Sequence, residues 1–410
     1  MACATIQEPP GGPPDLTPPV LVSVSPDSGA VVPDLKKAAV LEFNEVISER
    51  PSLTLDQMVL LSPRPRNLSV SWHRTSIDVK PKEGWQPGVV YRLTLLPGIS
   101  DLRSNKQPAG KTVVFSTGGA IPATSLAGRV IDWEAGSAGA RALVEAVRTS
   151  DSTVFWDVAD STGKFNMVAV PPGQYVFSAT LDRNTNRRRD YHEPYDSIVV
   201  TLDSTVSNNF WTFVHDTVGP RIRTVTRSDS VTAKVEFNQS LGPAPLDSTA
   251  VVVLELPDST RVRVDALMTA AVYDSVQTAA RQAQAKTDTA AANRPNQPAP
   301  GNRPPAAPAP TQPPAFPGRQ PGAPGFGAPR PGFPGAQAPA PPDSALIKLL
   351  RERPRLSTSL VVRTANPLKP GGRYVFKARV ANPSGAVGES NSVLVIPAPT
   401  PVDTTKRKTR

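Results

Sequence analysis

The segment Pro87-Gly88-Val89-Val90-Tyr91-Arg92-Leu93-Thr94-Leu95 decides the fold. A Pro-Gly turn leads into Val89, Tyr91, Leu93 and Leu95 at alternate positions. Side chains of a β-strand point to opposite faces with period two, so this spacing buries one face and leaves the other to water. A helix would instead need its apolar residues three and four apart.

The same pattern extends outward in both directions. Upstream lie Val20-Leu21-Val22-Ser23-Val24, Ala39-Val40-Leu41-Glu42-Phe43 and the run from Met58 to Leu61. Leu68, Val70 and Trp72 alternate with polar residues, as do Ile77 and Val79. Downstream, Val113-Val114-Phe115 closes the series. Short strands at regular spacing, separated by Pro, Gly, Asp and Ser, predict an antiparallel sandwich over residues 17–118. Residues 1–16 are Pro/Gly-rich and read as an extended leader.

A second block covers 124–215. Its opening strand is Leu126 to Ile131. Asp160-Ser161-Thr162-Gly163 is a turn, and Phe165, Met167 and Ala169 follow at alternate positions. Val168 and Val170 are apolar too, which predicts cover on both faces of that strand. Pro171-Pro172-Gly173 turns the chain into Tyr175, Phe177 and Ala179.

The third block, 216–399, repeats the first in order. Asp15-Leu16-Thr17-Pro18-Pro19 is echoed by Asp216-Thr217-Val218-Gly219-Pro220. Leu41-Glu42-Phe43-Asn44 is echoed by Val235-Glu236-Phe237-Asn238, and Pro87-Gly88 with Tyr91 by Pro370-Gly371 with Tyr374. This copy is interrupted. Residues 270–292 are Ala/Gln-rich and predict a frayed helix. Of the 48 residues from Pro295 to Pro342, 18 are proline and none is acidic. A stretch of that composition cannot bury enough apolar surface to order itself, so 283–342 is read as a disordered insertion. Asp343 to Glu352 predicts a short helix, after which strands resume at Leu360-Val361-Val362, Tyr374 to Val380 and Val393 to Ile396.

Composition narrows the function. The net charge is +10, yet the dense basic runs are only Arg187-Arg188-Arg189 and the tail within 400–410. Nucleic-acid surfaces interleave such charge with stacking aromatics, and that pattern is missing, so nucleic acid is not an expected partner. The single cysteine, Cys3, allows no disulfide within the chain. No apolar run is long enough for a transmembrane helix. There is no His-Glu-x-x-His motif, no Gly-x-Ser-x-Gly elbow and no phosphate-binding glycine loop. The reading is of a non-enzyme.

One loop holds oxygen ligands at spacing suited to a hard cation: Asp182, Asn184, Asn186, Asp190 and Glu193. Calcium is the only cofactor it suggests. Arg187 stands where an EF-hand-type loop has glycine, and the three adjacent arginines oppose a dication. The alternative is a solvated turn whose arginines neutralise its carboxylates. The five tryptophans offer either a sugar-stacking platform or ordinary core filling.

Asp15-x-Thr17-Pro18-Pro19, Pro26-x-x-Gly29, Leu41-x-Phe43-x-Glu45, Pro87-Gly88-x-x-Tyr91, Asp101-x-x-x-Asn105 and Phe115-Ser116-Thr117 together resemble the bacterial Ig-like domain of the S-layer (SbsA) type. The third block is similar to a degenerate member without the Phe-Ser-Thr ending. Asp160-x-x-Gly163-x-Phe165 with Pro172-Gly173-x-Tyr175 resembles the carboxypeptidase-regulatory-like, transthyretin-like sandwich. The implied fold is all-β, three tandem sandwiches that are Ig-like, transthyretin-like and degenerate Ig-like. The arrangement also resembles Ig-like envelope lipoproteins, with Cys3 as the lipidated residue ahead of the leader. That resemblance implies an outer-membrane lipoprotein facing the periplasm or the cell surface. Its expected partners are the membrane, through the anchor, and an envelope protein or polysaccharide. The implied role is structural, adhesive or scaffolding. The competing role is a carbohydrate- or calcium-dependent surface binding module.

Overall fold

The computed structural model describes residues 15–49, 54–244, 246–247, 249–292, 343–353 and 355–398, with side chains of 285–292 left aside. Cys3, the leader up to residue 14, most of the insertion and the basic tail lie outside the described residues.

The first unit contains β1 (Leu21–Ser25), β2 (Ala39–Phe43), helical turn α1 (Leu55–Met58), β3 (Val59–Ser62), β4 (Leu68–His73), β5 (Ser76–Pro81), β6 (Val90–Leu95) and β7 (Lys111–Ser116). They form two facing sheets ordered β1-β2-β5-β4 and β3-β6-β7. The sequence gives no sign of α1 ahead of β3. Between the sheets lie Leu41, Ile77, Tyr91, Leu93 and Phe115, all buried. Complete burial of such a side chain contributes about 1.5–3 kcal/mol.

The second unit contains β8 (Ser125–Asp132), β9 (Ser137–Ala138), β10 (Leu143–Arg148), β11 (Val154–Val158), β12 (Lys164–Val168), β13 (Gly173–Thr180), β14 (Tyr195–Leu202) and β15 (Thr205–Thr212). Its sheets are β11-β10-β13-β14 and β12-β8-β15, with β9 on β8. The β8–β15 pair is parallel. Gly128 makes that approach feasible, because a Cβ there would stand 1.8 Å from the Asn208 carbonyl oxygen. The broken alternation after Phe165 has a local cause. β12 ends at Val168, and Ala169 turns the chain at φ +57°.

The third unit contains β16 (Ile222–Arg227), β17 (Thr232–Phe237), β18 (Val251–Leu256), β19 (Thr260–Val262), β20 (Val264–Thr269), α2 (Ala270–Ala292), α3 (Ser344–Glu352), β21 (Ser359–Thr364), β22 (Arg373–Ala381) and β23 (Val387–Val395). Its sheets, β16-β17-β21-β20 and β19-β18-β22-β23, reproduce the order of the first unit with β19 added. The repeat reaches down to single bonds. Leu21/Ser23 and Ile222/Thr224 carry equivalent register shifts. The Tyr91 hydroxyl accepts from the Gln86 N–H, and the Tyr374 hydroxyl from the Lys369 N–H, both at 2.8 Å. Asn44 and Asn238 each accept through Oδ1 from the N–H of the residue just ahead of β1 and β16, Val20 and Arg221. The last strand is present without a Phe-Ser-Thr ending and is longer than the sequence suggests, pairing along the whole of β22.

The interruption has a defined address. In the first unit, β4 and β5 are joined by the turn Arg74-Thr75; the corresponding β20 and β21 are joined by residues 270–358 and still pair. α3 is capped by Asp343, whose carboxylate accepts from the N–H groups of Ala345 and Leu346.

Candidate functional site

The regularity of β6 is broken on its outer face. Alternation predicts Arg92 in water, yet its side chain is only 4% exposed. The second unit covers it. Arg92 Nη2 stands 3.7 Å from the Asp157 carboxylate and donates to the Trp156 carbonyl, and Nη1 reaches the Val168 carbonyl. Burial lowers the Arg92 pKa and raises that of Asp157, and their mutual attraction recovers only part of each shift.

Trp156 forms the apolar part of this junction with Leu60 and Leu143. Its indole N–H donates to the Leu61 carbonyl at 2.7 Å, and its backbone N–H to the Ser62 hydroxyl. The Arg64 guanidinium lies 4.3 Å over the ring and pairs with Glu145 at 2.6 Å. The backbone bond from Arg64 N–H to the Val154 carbonyl adds a rung between the two units. All three strands involved, β3, β6 and β11, are therefore covered on both faces.

The Asp182–Glu193 loop touches the same junction. Arg187 sends its guanidinium to the carbonyls of Asp56, Gln57 and Val59, at the end of α1. Burial lowers its pKa to about 10. Arg187 adopts φ +59°, the left-handed conformation that the glycine of a cation loop supplies. Of the five candidate ligands, Asn184, Asn186 and Asp190 meet through their side chains, and Asp182 and Glu193 bond to the loop backbone. Asp182 accepts from the N–H groups of Asn186 and Arg187. Asn184 and Asn186 both turn their side-chain amides onto one oxygen of Asp190, each at 2.7 Å. Glu193, buried, accepts from the N–H groups of Arg183 and Asp190. The Asn184 and Asn186 side-chain oxygens accept from the N–H groups of Asn186 and Arg188, which fixes both amides with nitrogen toward Asp190.

A second acidic group was named in the sequence only through the family resemblance. Asp15, Glu45 and Asp101 place oxygens within 4.8 Å of one another. Asp101 accepts from the N–H groups of Arg103 and Asn105 and from the Asn105 amide. Desolvation, then the charges of Asp15 and Asp101, raise the Glu45 pKa. The sequence signal was the paired Asp15/Asp101-x-x-x-Asn105 motif. Proximity in space could not be read from it.

The tryptophans divide by place. Trp72 and Trp85 pack on the first core, their indole N–H groups bonded to the carbonyls of Ile47 and Lys37. Trp156 fills the first junction. Trp133 and Trp211 lie beneath the Arg353 guanidinium, 3.6 Å and 5.1 Å away, where the third unit meets the second. Among the described residues, no helix is long and apolar enough to cross a membrane.

Residues 15–117, the first sandwich, match the bacterial Ig-like domain family. No curated protein matches the chain. Among solved structures, an L,D-transpeptidase from Mycobacterium smegmatis aligns at 15% identity and TM-score 0.19, covering 45% of this chain and 75% of that one. BcpA, the major pilin subunit of Bacillus cereus, aligns at 13% and 0.18, covering 47% and 70%. The S-layer protein SbsC aligns at 8% and 0.18, covering 94% and 55%. Scores this low carry no argument about fold or function.

Proposed function

We infer that the protein is a non-catalytic component of a bacterial cell envelope, with a structural, adhesive or scaffolding role. The observation that carries this reading is the junction of the first two sandwiches. A buried tryptophan and a buried ion pair fix one module on the next, as a protein that must hold its modules in a set orientation requires. The bacterial Ig-like match of the first sandwich supports an extracellular or envelope address. Cys3 is the proposed site of a lipid anchor at the outer membrane, facing periplasm or cell surface, and an envelope protein or polysaccharide is the proposed partner. Stable anchoring needs more than one acyl chain, which a lipoprotein cysteine supplies. Mass spectrometry of the N-terminal peptide, from protein expressed with its upstream reading frame, tests the anchor. A lipid-modified Cys3 supports it; an unmodified terminus on protein in the cytosol defeats both anchor and address.

A second reading, calcium binding at Asp182, Asn184, Asn186, Asp190 and Glu193, is favoured by the positive φ of Arg187 at the sixth loop position. Terbium luminescence, with calcium as competitor, tests it. No signal above that of a Glu193→Gln variant would remove it.

A further inference from the structure

The cleft between α3 and the β12-β8-β15 sheet has a volume of about 690 Å³, within the range of small-ligand sites. At its end lies Arg129, 5% exposed. One guanidinium nitrogen, Nη2, pairs with Asp343 at 2.6 Å. The other, Nη1, is buried and has no hydrogen-bond partner among the described residues. A buried charged donor left unpaired is costly, and a fork-shaped guanidinium with one tine occupied suits a second carboxylate beside the first.

The rest of the cleft has a matching character. Lys164 from the sheet and Lys348 from α3 add positive charge at its walls, while Asn166 and Asn209 present amides that both donate and accept. Leu349 of α3 supplies apolar surface, while the Phe165 ring points the other way, into the core. Asp160 also borders the cleft, but one of its oxygens is bonded within its own turn to the N–H groups of Thr162 and Lys164. Glu352 lies at the α3 wall as the other acid. Amides beside an anion-pairing guanidinium are the groups that read hydroxyls next to a carboxylate.

We propose that this cleft binds an acidic saccharide, with a uronate carboxylate on Arg129 and the sugar hydroxyls on Asn166 and Asn209. The Nη1 atom is covered, so the ligand reaches it as the C-terminal end of α3 swings outward about Asp343, which keeps its place on Nη2. α3 permits this, since it contributes no buried side chain. The site is independent of the lipid anchor and of the calcium loop.

The test is calorimetry on the full chain with oligomers of galacturonate, glucuronate and mannuronate, each against its neutral counterpart. One uronate oligomer should bind with one site per chain, and its neutral counterpart should not. Arg129→Met should weaken binding about tenfold or more. Should that variant misfold, Asn209→Ala and Lys164→Ala, both at exposed positions, should each weaken binding several-fold with an unchanged circular dichroism spectrum. Absence of binding by every uronate, equal binding of the neutral sugars, or full affinity in the Asn209 and Lys164 variants would each overturn the proposal.

Discussion

Arg92 and Asp157 face each other 3.7 Å apart across the first junction, 4% and 12% exposed, on sandwiches that meet nowhere in the local sequence. Both lose hydration on docking, and the pKa of each moves away from its charged form. Such a pair specifies a partner more than it stabilises one. Asp157→Asn should cost about 3–5 kcal/mol, because it leaves the arginine charge uncompensated. Arg92→Met with Asp157→Leu should be close to neutral. Urea titration of the two variants and the parent checks the asymmetry; equal losses in both would contradict it.

Trp156→Ala should cost about 3–5 kcal/mol, the range for emptying a buried tryptophan site. The indole N–H bond to Leu61 and the stacked Arg64 are lost as well. Calorimetric scanning should show the first two sandwiches melting apart in the variant and together in the parent.

Arg187 is held in a left-handed conformation by bonds to the end of α1. Arg187→Ala should lose about 1–3 kcal/mol, since it removes charged hydrogen bonds while keeping the strained backbone. Arg187→Gly should recover about 1 kcal/mol of that, because glycine adopts this conformation without strain. Equilibrium unfolding of both variants decides, and an Ala variant as stable as Gly would show that the conformation is unstrained.

His215 is stacked between Tyr195 and Phe213, with ring centroids 3.9 Å and 4.1 Å away. Burial lowers its pKa below the ordinary 6.5; the Phe213 carbonyl and Asp196 oppose the shift, and Arg189 adds to it. The folded state therefore favours the neutral ring. The resulting stability is present above 6.5 and is lost as pH falls through the folded pKa. Melting temperature should drop as pH falls below about 6.5, and His215→Phe should flatten that dependence. An identical slope in the variant would assign it elsewhere.

Gly128→Ala should destabilise the middle sandwich by about 1–3 kcal/mol. A methyl group at this position meets the Asn208 carbonyl within the parallel pair, and φ is +151°. Hydrogen exchange should show the loss concentrated in β8 and β15.

Much of this architecture was legible because strands are written locally. Val89, Tyr91, Leu93 and Leu95 alternate, and the Pro-Gly turn recurs ahead of Tyr374. The equivalent tyrosine bonds then follow from equivalent spacing. What covers the outer face was not legible. Alternation tells which residues share a side, and it cannot tell that Arg92 meets Asp157 or that Arg129 meets Asp343, 214 positions on. The same limit hid the junction role of Trp156, whose neighbours on β11 are apolar on one side and acidic on the other. In the Asp182–Glu193 loop the ligand types and spacing were plain. Its attachment to α1 through Arg187 depends on a docking that only the folded chain shows.

The hairpin turn that carries residues 270–358 leaves β20 and β21 bonded as though a two-residue link joined them. Closure entropy rises only logarithmically with length, so the third sandwich tolerates whatever is spliced there. It should also tolerate a cut. Two polypeptides divided within that segment should reassemble into one sandwich. A receptor pulling on the spliced sequence would then load a single antiparallel ladder from its turn end, opening it one rung at a time, and the same tension would pass in series through the two junction-locked modules to the proposed anchor at Cys3.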